Sequence, residues 1–279
     1  MLNSAPTFEL ITGTVMHPML NIAIRAARAA GDVITRQMDR LDTITVEQKQ
    51  HNDFVSEVDR AAEARIVETL LKSYPDHSIL AEESGLLGQT NSQYQWIVDP
   101  LDGTTNFLHG IPHICVSIGL TFKGKLDQAV VYNPVSQELF TASKGEGAWL
   151  NNKRLRVSKV GSLEHALVGS AFPYRDGERL KSYMKTFQTI TEQSIGVRRQ
   201  GAAALDLAFV AAGRTDAFWA PGLSPGDCAA GALIIREAGG LIADFDGGTD
   251  WMESGEIVAA TPRLLPHMLK VLKARNTES

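Results

Sequence analysis

Apolar residues near the start of the chain recur every three or four positions, the spacing of one face of an α-helix. They are Leu20, Ile24, Ala27, Ile34 and Met38. This spacing predicts a long first helix after Pro18, since proline is typical of the start of a helix. A second helix is predicted from Ser56 to about residue 72, since Ser56 and Asp59 have the spacing of an N-terminal capping box.

The middle of the chain has shorter apolar runs separated by turn sequences, which predict strands near residues 79–81, 95–98, 113–122, 127–132 and 138–142. Beyond residue 158 an extended segment at 168–171 alternates with predicted helices at 178–193, 203–212 and 229–238. We therefore divide the chain into an N-terminal extension (1–15), an α+β half (16–157) and an α/β half (158–279), with no flexible linker between the halves.

Composition narrows the class of protein. The chain has 279 residues, of which 44% are hydrophobic and 21% charged, as in a soluble globular protein. Its net charge of −5 does not favour general binding to nucleic acid or anionic membranes. We expect a cytoplasmic protein without a membrane span, because no apolar run reaches the ~20 residues of a span and the first residues lack a secretory signal. Of the two cysteines, Cys115 and Cys228, we expect Cys115 to be buried and reduced.

One segment carries most of the candidate chemistry. Residues 96–106 read Trp-Ile-Val-Asp-Pro-Leu-Asp-Gly-Thr-Thr-Asn. The apolar start predicts a buried strand that Pro100 interrupts, and Gly-Thr-Thr predicts the start of a helix. Asp99 and Asp102 offer the oxygen ligands that Mg²⁺ prefers, while a helix start offers N–H groups to a phosphate. The segment therefore indicates metal-assisted hydrolysis of a phosphate ester.

Residues 99–106 resemble the metal motif of the inositol monophosphatase family. Two companions support the resemblance: Glu-Glu-Ser at 82–84 and Gly-Asp-Cys-Ala-Ala-Gly at 226–231. The resemblance runs from about residue 16 to the last helix. It is closest to the bacterial branch, which includes extragenic suppressor proteins linked to ribosomal RNA transcription. It implies an α+β fold, the layered α-β-α-β-α sandwich of the inositol monophosphatase and fructose-1,6-bisphosphatase superfamily, with the metal site between the halves.

The resemblance also implies two or three Mg²⁺ ions and their ligands, which are Glu82, Asp99, the Leu101 carbonyl, Asp102, Asp227 and Asp59. Asp99 would bridge two of the ions. For Asp59 two roles stay open, because the acid of a capping box explains its position equally well. For Asp99 and Asp102 a purely structural role is weaker, since two acids that close a buried strand need compensation.

Catalytic and substrate-binding roles follow from the same resemblance. The implied catalytic residues are Glu82, Thr104 and Asp102. A metal-activated water would attack the phosphorus, oriented by Glu82 and the Thr104 hydroxyl. The implied substrate contacts are Gly103, Thr104, Thr105, Gly201, Ala202 and Asp227. Backbone N–H groups of Gly103 and Thr104 would hold the phosphate at the helix start.

Three positions depart from the family pattern, and all lie in the expected substrate region. The family has an acid where this chain has Ala220, a tryptophan where it has Gly226, and serine or threonine where it has Ala202. Loss of a substrate-matched hydrogen bond weakens discrimination, and glycine in place of tryptophan should loosen the backbone beside Asp227. We expect retained phosphatase chemistry without assured specificity for inositol. The alternative is that the three substitutions are compensated elsewhere and have little consequence.

Three functions remain open at this stage. The first is a Mg²⁺-dependent, lithium-sensitive phosphomonoesterase, a homodimer that hydrolyses inositol 1-phosphate or a related small polyol or sugar phosphate. The second keeps the chemistry and changes the substrate to histidinol phosphate or a nucleotide 3′-phosphate; adenosine bisphosphate would need a base-stacking, basic pocket that the sequence does not reveal. The third is a non-catalytic role in transcription antitermination and ribosomal RNA maturation, with RNA polymerase or a transcription complex as partner and Arg198, Arg199 and Arg214 as a candidate surface. The alternative for these three arginines is that they are ordinary charges on a solvated face or near a phosphate pocket.

Overall fold

The computed structural model describes residues 16–38, 40–41, 44, 46–50, 53–173 and 177–274, so the predicted extension at residues 1–15 lies outside the described residues. The helices are α1 (Pro18–Met38), α2 (Glu57–Ser73), α3 (Thr104–Leu108), α4 (Gly177–Gln193), α5 (Ala203–Ala211), α6 (Pro225–Glu237), α7 (Trp251–Ser254) and α8 (Leu265–Ala274). The first strands are β1 (Val46–Gln50), β2 (Asp53–Ser56), β3 (Ser78–Ala81), β4 (Gly85–Gly88), β5 (Tyr94–Asp102), β6 (Cys115–Phe122), β7 (Lys125–Asn133) and β8 (Glu138–Ser143). The remaining strands are β9 (Gly147–Leu150), β10 (Lys153–Arg154), β11 (Leu167–Ser170), β12 (Gly196–Arg198), β13 (Ala217–Ala220), β14 (Leu241–Ala243) and β15 (Ile257–Ala260).

Helices and sheets stack in alternating layers. Among the described residues, a large sheet has the strand order β10-β9-β8-β7-β6-β5-β3-β4, and a small sheet has the order β12-β11-β13-β15-β14. Helices α1 and α2 pack on one face of the large sheet. Helices α5 and α6 lie between the two sheets, and α4 and α8 cover the outer face of the small sheet. The order is the predicted α-β-α-β-α sandwich.

Side-chain alternation along the strands assigns residues to these layers. In β5, Trp96 and Val98 pack towards α1 and α2, whereas Ile97 packs towards the central helices. In β13, Trp219 packs towards the α4 side and Ala220 towards the central helices. The carboxyl ends of both strands therefore lie beside the central layer, where the candidate site is found.

The predicted first two helices are confirmed. Helix α1 runs from Pro18 to Met38, and α2 begins after the predicted capping box. Asp59 accepts a hydrogen bond from the backbone N–H of Ser56 at 2.9 Å, and the Ser56 hydroxyl accepts one from the N–H of Val58 at 3.2 Å. These bonds satisfy N–H groups that a helix start leaves without partners.

Two boundaries differ from prediction. Strand β5 continues through Pro100 to Asp102, with a shift in its pairing with β6 between Asp99 and Asp102. Such an irregularity lets a strand pass a proline that cannot donate to the ladder. Helix α6 begins at Pro225 rather than near residue 229, because its first turn is fixed by capping and not by apolar side chains. Strands β13, β14 and β15 are not among the predicted elements.

The predicted boundary at residues 157 and 158 falls between β10 of the large sheet and β11 of the small sheet. The division of the chain into two halves stays a prediction. Among the helices of the described residues, none combines the length and hydropathy that crossing a bilayer requires.

Candidate active site

A cleft of about 260 Å³ lies where the ends of β5 and β13 meet the starts of α3, α5 and α6. The predicted site residues that line it are Glu82, Asp99, Leu101, Asp102, Gly103, Thr104, Thr105, Gly201 and Asp227. Asp59 and Ala202 do not line it. The structure therefore brings together most residues that the sequence analysis named, from segments up to 145 positions apart (82 to 227).

Three carboxylates form the floor of this cleft. One oxygen from each of Asp99, Asp102 and Asp227 lies within 4.8 Å of the other two. Asp99 is 2% exposed and Asp102 is 6% exposed, so this negative charge is largely removed from water. Glu82 is exposed, lines the same cleft and hydrogen-bonds to Asp99.

Burial and mutual repulsion act on the same groups. The pKa of Asp99 is raised well above its ordinary value, first by burial and then by the charges of Glu82, Asp102 and Asp227. The pKa of Asp102 is also raised well above its ordinary value, by burial and then by the Asp227 charge, against the lowering effect of the Ala204 N–H. A set of crowded carboxylate oxygens is the donor set that hard divalent cations such as Mg²⁺ prefer, so these residues fit such an ion.

Asp102 also caps helix α5. Its Oδ1 accepts a hydrogen bond from the N–H of Ala203 at 3.1 Å, and its Oδ2 accepts one from the N–H of Ala204 at 2.7 Å. Ala202, at the N-cap position of α5, makes no side-chain cap. It was predicted as a substrate contact, but its side chain is 1% exposed and packs in the core. The missing cap at Ala202 is supplied by Asp102.

Asp227 is held by the start of α6. Its Oδ2 accepts a hydrogen bond from the N–H of Ser224 at 2.7 Å, and its own N–H donates to the Ser224 hydroxyl at 3.4 Å. Gly226 lies inside this first turn, and its carbonyl accepts a hydrogen bond from the Ser117 hydroxyl at 2.8 Å. The expected loosening beside Asp227 is therefore opposed by the capping box, by Pro225 at the first helical position and by Ser117.

The turn between β5 and α3 depends on glycine. Gly103 has φ +94°, and a Cβ atom at this position would lie 3.0 Å from the His113 carbonyl oxygen. Thr104 follows, and its hydroxyl donates to Asp59 Oδ1 at 2.9 Å. Asn106 also stabilises this turn, because its side-chain amide donates hydrogen bonds to the backbone carbonyls of His113 and Gln200 at 2.7 and 2.8 Å. This turn brings the N-terminus of α3 close to the carboxylates.

Asp59 has contacts that explain it without a metal. It is 2% exposed and receives hydrogen bonds from Ser56 and Thr104. Burial raises its pKa, and these hydrogen bonds oppose that rise. It lies outside the cluster of Asp99, Asp102 and Asp227, so its role as a metal ligand stays a prediction, whereas its contact with Thr104 is a structural fact.

Two residues that the sequence analysis did not name, Phe172 and Arg179, form another part of the cleft together with Arg199, which it named as part of a candidate partner surface. The Arg199 guanidinium lies over the Phe172 ring, 5.6 Å from its centroid. Arg179 Nη1 lies 2.9 Å from the place where a Cβ of Gly222 would stand. No local pattern marks these residues, because α4 and the small sheet bring them together from separate segments.

The three arginines considered for a partner surface have different surroundings. Arg199 is at the cleft, whereas Arg214 makes paired hydrogen bonds with Glu138 and lies over the Phe209 ring at 4.6 Å. Arg198 is exposed and donates to the carbonyl of Val197. The role of these three arginines as a partner surface stays a prediction.

Ala220, the position where the family pattern has an acid, is fully buried among the central helices. The cleft wall that follows β13 consists instead of Pro221, Gly222 and Leu223.

Cys115 and Cys228 are both buried and free, as expected for Cys115, and the Cys115 thiol donates to Asp102 at 3.5 Å.

Comparison with known proteins agrees with this geometry. The sequence model of the inositol monophosphatase family matches residues 15–277. The protein called Nus factor SuhB of Pseudomonas aeruginosa is 53% identical over 262 residues, covering 92% of this chain and 97% of its own. The one from Escherichia coli is 49% identical over 254 residues, covering 91% and 95%.

Solved structures agree as well. The extragenic suppressor protein suhB of Bartonella henselae has a TM-score of 0.89 at 41% identity, covering 94% of this chain and 100% of that one. An IMPase from Thermotoga maritima has a TM-score of 0.84 at 31% identity, covering 93% and 98%. The predicted fold class and family resemblance are thereby confirmed.

Proposed function

Since this chain belongs to the inositol monophosphatase family, we propose that it is a Mg²⁺-dependent phosphomonoesterase that hydrolyses inositol 1-phosphate or a related small polyol or sugar phosphate. The observation that carries the proposal is the cluster of Asp99, Asp102 and Asp227 beside the Gly103 turn. Crowded carboxylates favour binding of a cation, and the N–H groups of a helix start favour binding of a phosphate, so both ligands can bind in the same cleft.

The residues that would hold Mg²⁺ are Glu82, Asp99, the Leu101 carbonyl, Asp102 and Asp227. When bound, such ions polarise the phosphate and lower the pKa of a water in the cleft. Carboxylates whose pKa values are raised first by burial and then by mutual repulsion gain most from this compensation. The start of α6 adds rigidity, because the capping box fixes the Asp227 carboxylate.

Thr104 and Glu82 orient the attacking water and accept its proton. The Thr104 hydroxyl donates a hydrogen bond to Asp59, so the Thr104 oxygen can accept a hydrogen bond from that water. As the water oxygen forms its bond to phosphorus, the P–O bond to the alcohol breaks. The water proton passes to Glu82 or, through Thr104, to Asp59, and the departing alkoxide takes a proton from solvent. Backbone N–H groups of Gly103 and Thr104 hold the phosphate oxygens.

A panel assay tests this proposal. Phosphate release would be measured with Mg²⁺ on inositol 1-phosphate, histidinol phosphate, glycerol 2-phosphate and adenosine 3′,5′-bisphosphate, with Asp102→Asn as the inactive control. We expect release that requires Mg²⁺, is inhibited by Li⁺ and falls at least about a hundredfold in the variant. Folded protein that releases no more phosphate than the variant on any substrate would refute the proposal.

A second candidate function follows from the relatives, since two proteins 53% and 49% identical to this chain are called Nus factors. We infer an additional role as a partner of a transcription complex. Binding to a purified bacterial elongation complex would be compared for the wild type and Asp102→Asn. Equal binding by the catalytically inactive variant would support a role independent of hydrolysis, and no binding by either protein would exclude it.

We also infer a homodimer, because the family resemblance implies one. Light scattering of the purified chain at several concentrations tests it. A molar mass near twice the 30.3 kDa of the chain is expected, and a monomer at every concentration would contradict it.

A further inference from the structure

The turn that carries Glu82 lies at an edge of the large sheet. Strands β3 and β4 pair as an antiparallel hairpin in which Ala81 is opposite Gly85, so residues 82–84 form its turn. Strand β4 is the last strand at that end of the sheet among the described residues. The Glu82 side chain is exposed, yet it hydrogen-bonds to Asp99 in the cleft. Because turns at a sheet edge open more readily than central strands, contacts from outside the hairpin are needed to fix the direction of this carboxylate.

Two backbone N–H groups hold Glu82 from either side. Its own N–H donates to the Val98 carbonyl at 3.2 Å, which extends the pairing of β3 with β5 by one residue. The N–H of the next residue, Glu83, donates to Glu63 Oε2 at 2.8 Å. Glu63 belongs to α2 and lies 20 positions earlier in the chain. The backbone at Glu82 is therefore joined to β5 on one side and to a side chain of α2 on the other.

Glu63 is an acid at a position of α2 where an apolar residue is expected. The buried face of this helix includes Ala62, Ile66 and Leu70, whose spacing forms an apolar stripe. Glu63 lies beside this stripe and is 2% exposed. Burial of an acid is unfavourable unless it is hydrogen-bonded, and an apolar residue of similar size is often at least as stabilising. The contact with the Glu83 N–H is a task that an apolar residue could not perform.

Asp59 lies one turn before Glu63 on the same face of α2. It is also 2% exposed, and it accepts a hydrogen bond from the Thr104 hydroxyl at 2.9 Å. Asp59 thus contacts Thr104 itself, whereas Glu63 contacts the residue that follows Glu82. Because the backbone of a helix is regular over one turn, α2 fixes the positions of Glu82 and Thr104 relative to each other.

We propose that Glu63 is a positioning residue of the candidate active site, because its carboxylate holds the turn at 82–84 and thereby directs Glu82 towards Asp99 and the attacking water. The inference rests on the proposed phosphatase function and adds a residue that does not line the cleft. Without this bond the turn can shift, and Glu82 then orients the water less well. The phosphate is held by the separate turn at Gly103, so the loss should affect kcat and Mg²⁺ binding more than KM.

Two variants of Glu63 test the proposal. Glu63→Ala removes the acceptor for the Glu83 N–H, whereas Glu63→Gln keeps a side-chain carbonyl oxygen at the same reach. In Glu63→Ala we expect kcat to fall by about tenfold and the Mg²⁺ concentration for half-maximal activity to rise by about fivefold, with KM for the phosphoester within about twofold of the wild type. Glu63→Gln should recover most of both losses.

Leu70→Ala is the matched control, because Leu70 is buried on the same face of α2 about two turns later. It should lower the melting temperature but leave kcat and the Mg²⁺ requirement unchanged at a temperature where every variant is folded. If Glu63→Ala behaves like this control, Glu63 acts only through stability and the proposal is overturned. Glu63→Gln as impaired as Glu63→Ala would overturn it as well, since the acceptor oxygen would then not be what matters.

Two measurements that need no turnover separate this proposal from the proposed function. If the wild type hydrolyses no substrate, the phosphatase proposal fails, and amide hydrogen exchange and calorimetric titration with Mg²⁺ then decide the inference. Exchange at the Glu83 N–H should be at least about tenfold faster in Glu63→Ala than in the wild type and Glu63→Gln. Mg²⁺ binding should weaken by about fivefold in Glu63→Ala and recover in Glu63→Gln. Equal exchange in the three proteins, no Mg²⁺ binding by the wild type, or Mg²⁺ binding that Glu63→Ala leaves unchanged refutes it.

Discussion

The carboxylate of Asp102 accepts a hydrogen bond of 2.7 Å from the backbone N–H of Ala204, a residue 102 positions later in the chain. One acid is therefore both a member of the carboxylate cluster and the cap of helix α5. The positive end of the helix dipole stabilises the negative charge, which burial and Asp227 oppose. This contact ties the large sheet to the central helices at the site itself.

Two substitutions separate the two tasks of Asp102. Asp102→Asn removes the charge but keeps an oxygen that can accept from the start of α5, whereas Asp102→Ala leaves the N–H groups of Ala203 and Ala204 without their acceptor. Both variants should be inactive, because the cluster loses a carboxylate. In chemical denaturation without metal, the alanine variant should be about 1–2 kcal/mol less stable than the asparagine variant. Equal stability would show that the cap contributes little.

Stability without metal should depend on pH. Folding raises the pKa of Asp99 and Asp102, so the folded protein binds more protons than the unfolded chain above the ordinary carboxyl pKa of about 4. The free energy of unfolding should therefore fall as pH rises from this value through the raised values. Denaturation with a chelator at several pH values measures this. Asp99→Asn should flatten the dependence, and saturating Mg²⁺ should reverse it; a wild-type profile identical to that of Asp99→Asn would contradict the prediction.

The two capping boxes offer a matched test of how Asp227 is held. Ser224→Ala removes the hydroxyl that accepts a hydrogen bond from the Asp227 N–H and fixes the first turn of α6. Ser56→Ala removes the hydroxyl that donates to the Asp59 carboxylate at the start of α2. Each variant should lose about 1 kcal/mol of stability through its cap. Only Ser224→Ala should increase the Mg²⁺ concentration needed for half-maximal activity, by several-fold. An equal increase in Ser56→Ala would instead place Asp59 among the metal ligands.

Glycine at 103 should be required for more than its backbone angle. Gly103→Ala and Gly124→Ala both put a side chain at positive φ, which costs about 1–2 kcal/mol. At Gly124 nothing lies within 4 Å of the new Cβ, whereas at Gly103 the His113 carbonyl oxygen is 3.0 Å away. Phosphatase activity should survive in Gly124→Ala and be lost in Gly103→Ala. Comparable activity in both variants would show that the turn does not position the phosphate.

The sequence predicts those features of the fold that are determined by residues close together in the chain. The capping box of α2 and the glycine turn after Asp102 follow from neighbouring residues, and both are present in the structure. The predicted start of α6 near residue 229 is wrong, because the spacing of apolar residues does not indicate a first turn that Ser224 and Pro225 fix. A capping-box pattern at 224–227 was available as the signal.

Contacts between distant segments could not be predicted in this way. The bond between Asp102 and Ala204 joins a strand to a helix of the next layer, and no spacing rule relates them. The same holds for Phe172, Arg179 and Arg199, which reach one cleft from the small sheet and α4. These three residues come together only after the layers are assembled.

Phosphate release titrated with Mg²⁺ is the most direct test of the carboxylate cluster. It would be measured on the best substrate of the panel for the wild type, for Asp99→Asn, and for Asp246→Asn, an exposed acid that does not line the cleft. We expect saturable activation by Mg²⁺ in the wild type and Asp246→Asn, and a loss of at least about a hundredfold in Asp99→Asn at every Mg²⁺ concentration. Activity in folded Asp99→Asn equal to the wild type, or release that does not depend on Mg²⁺, would contradict it.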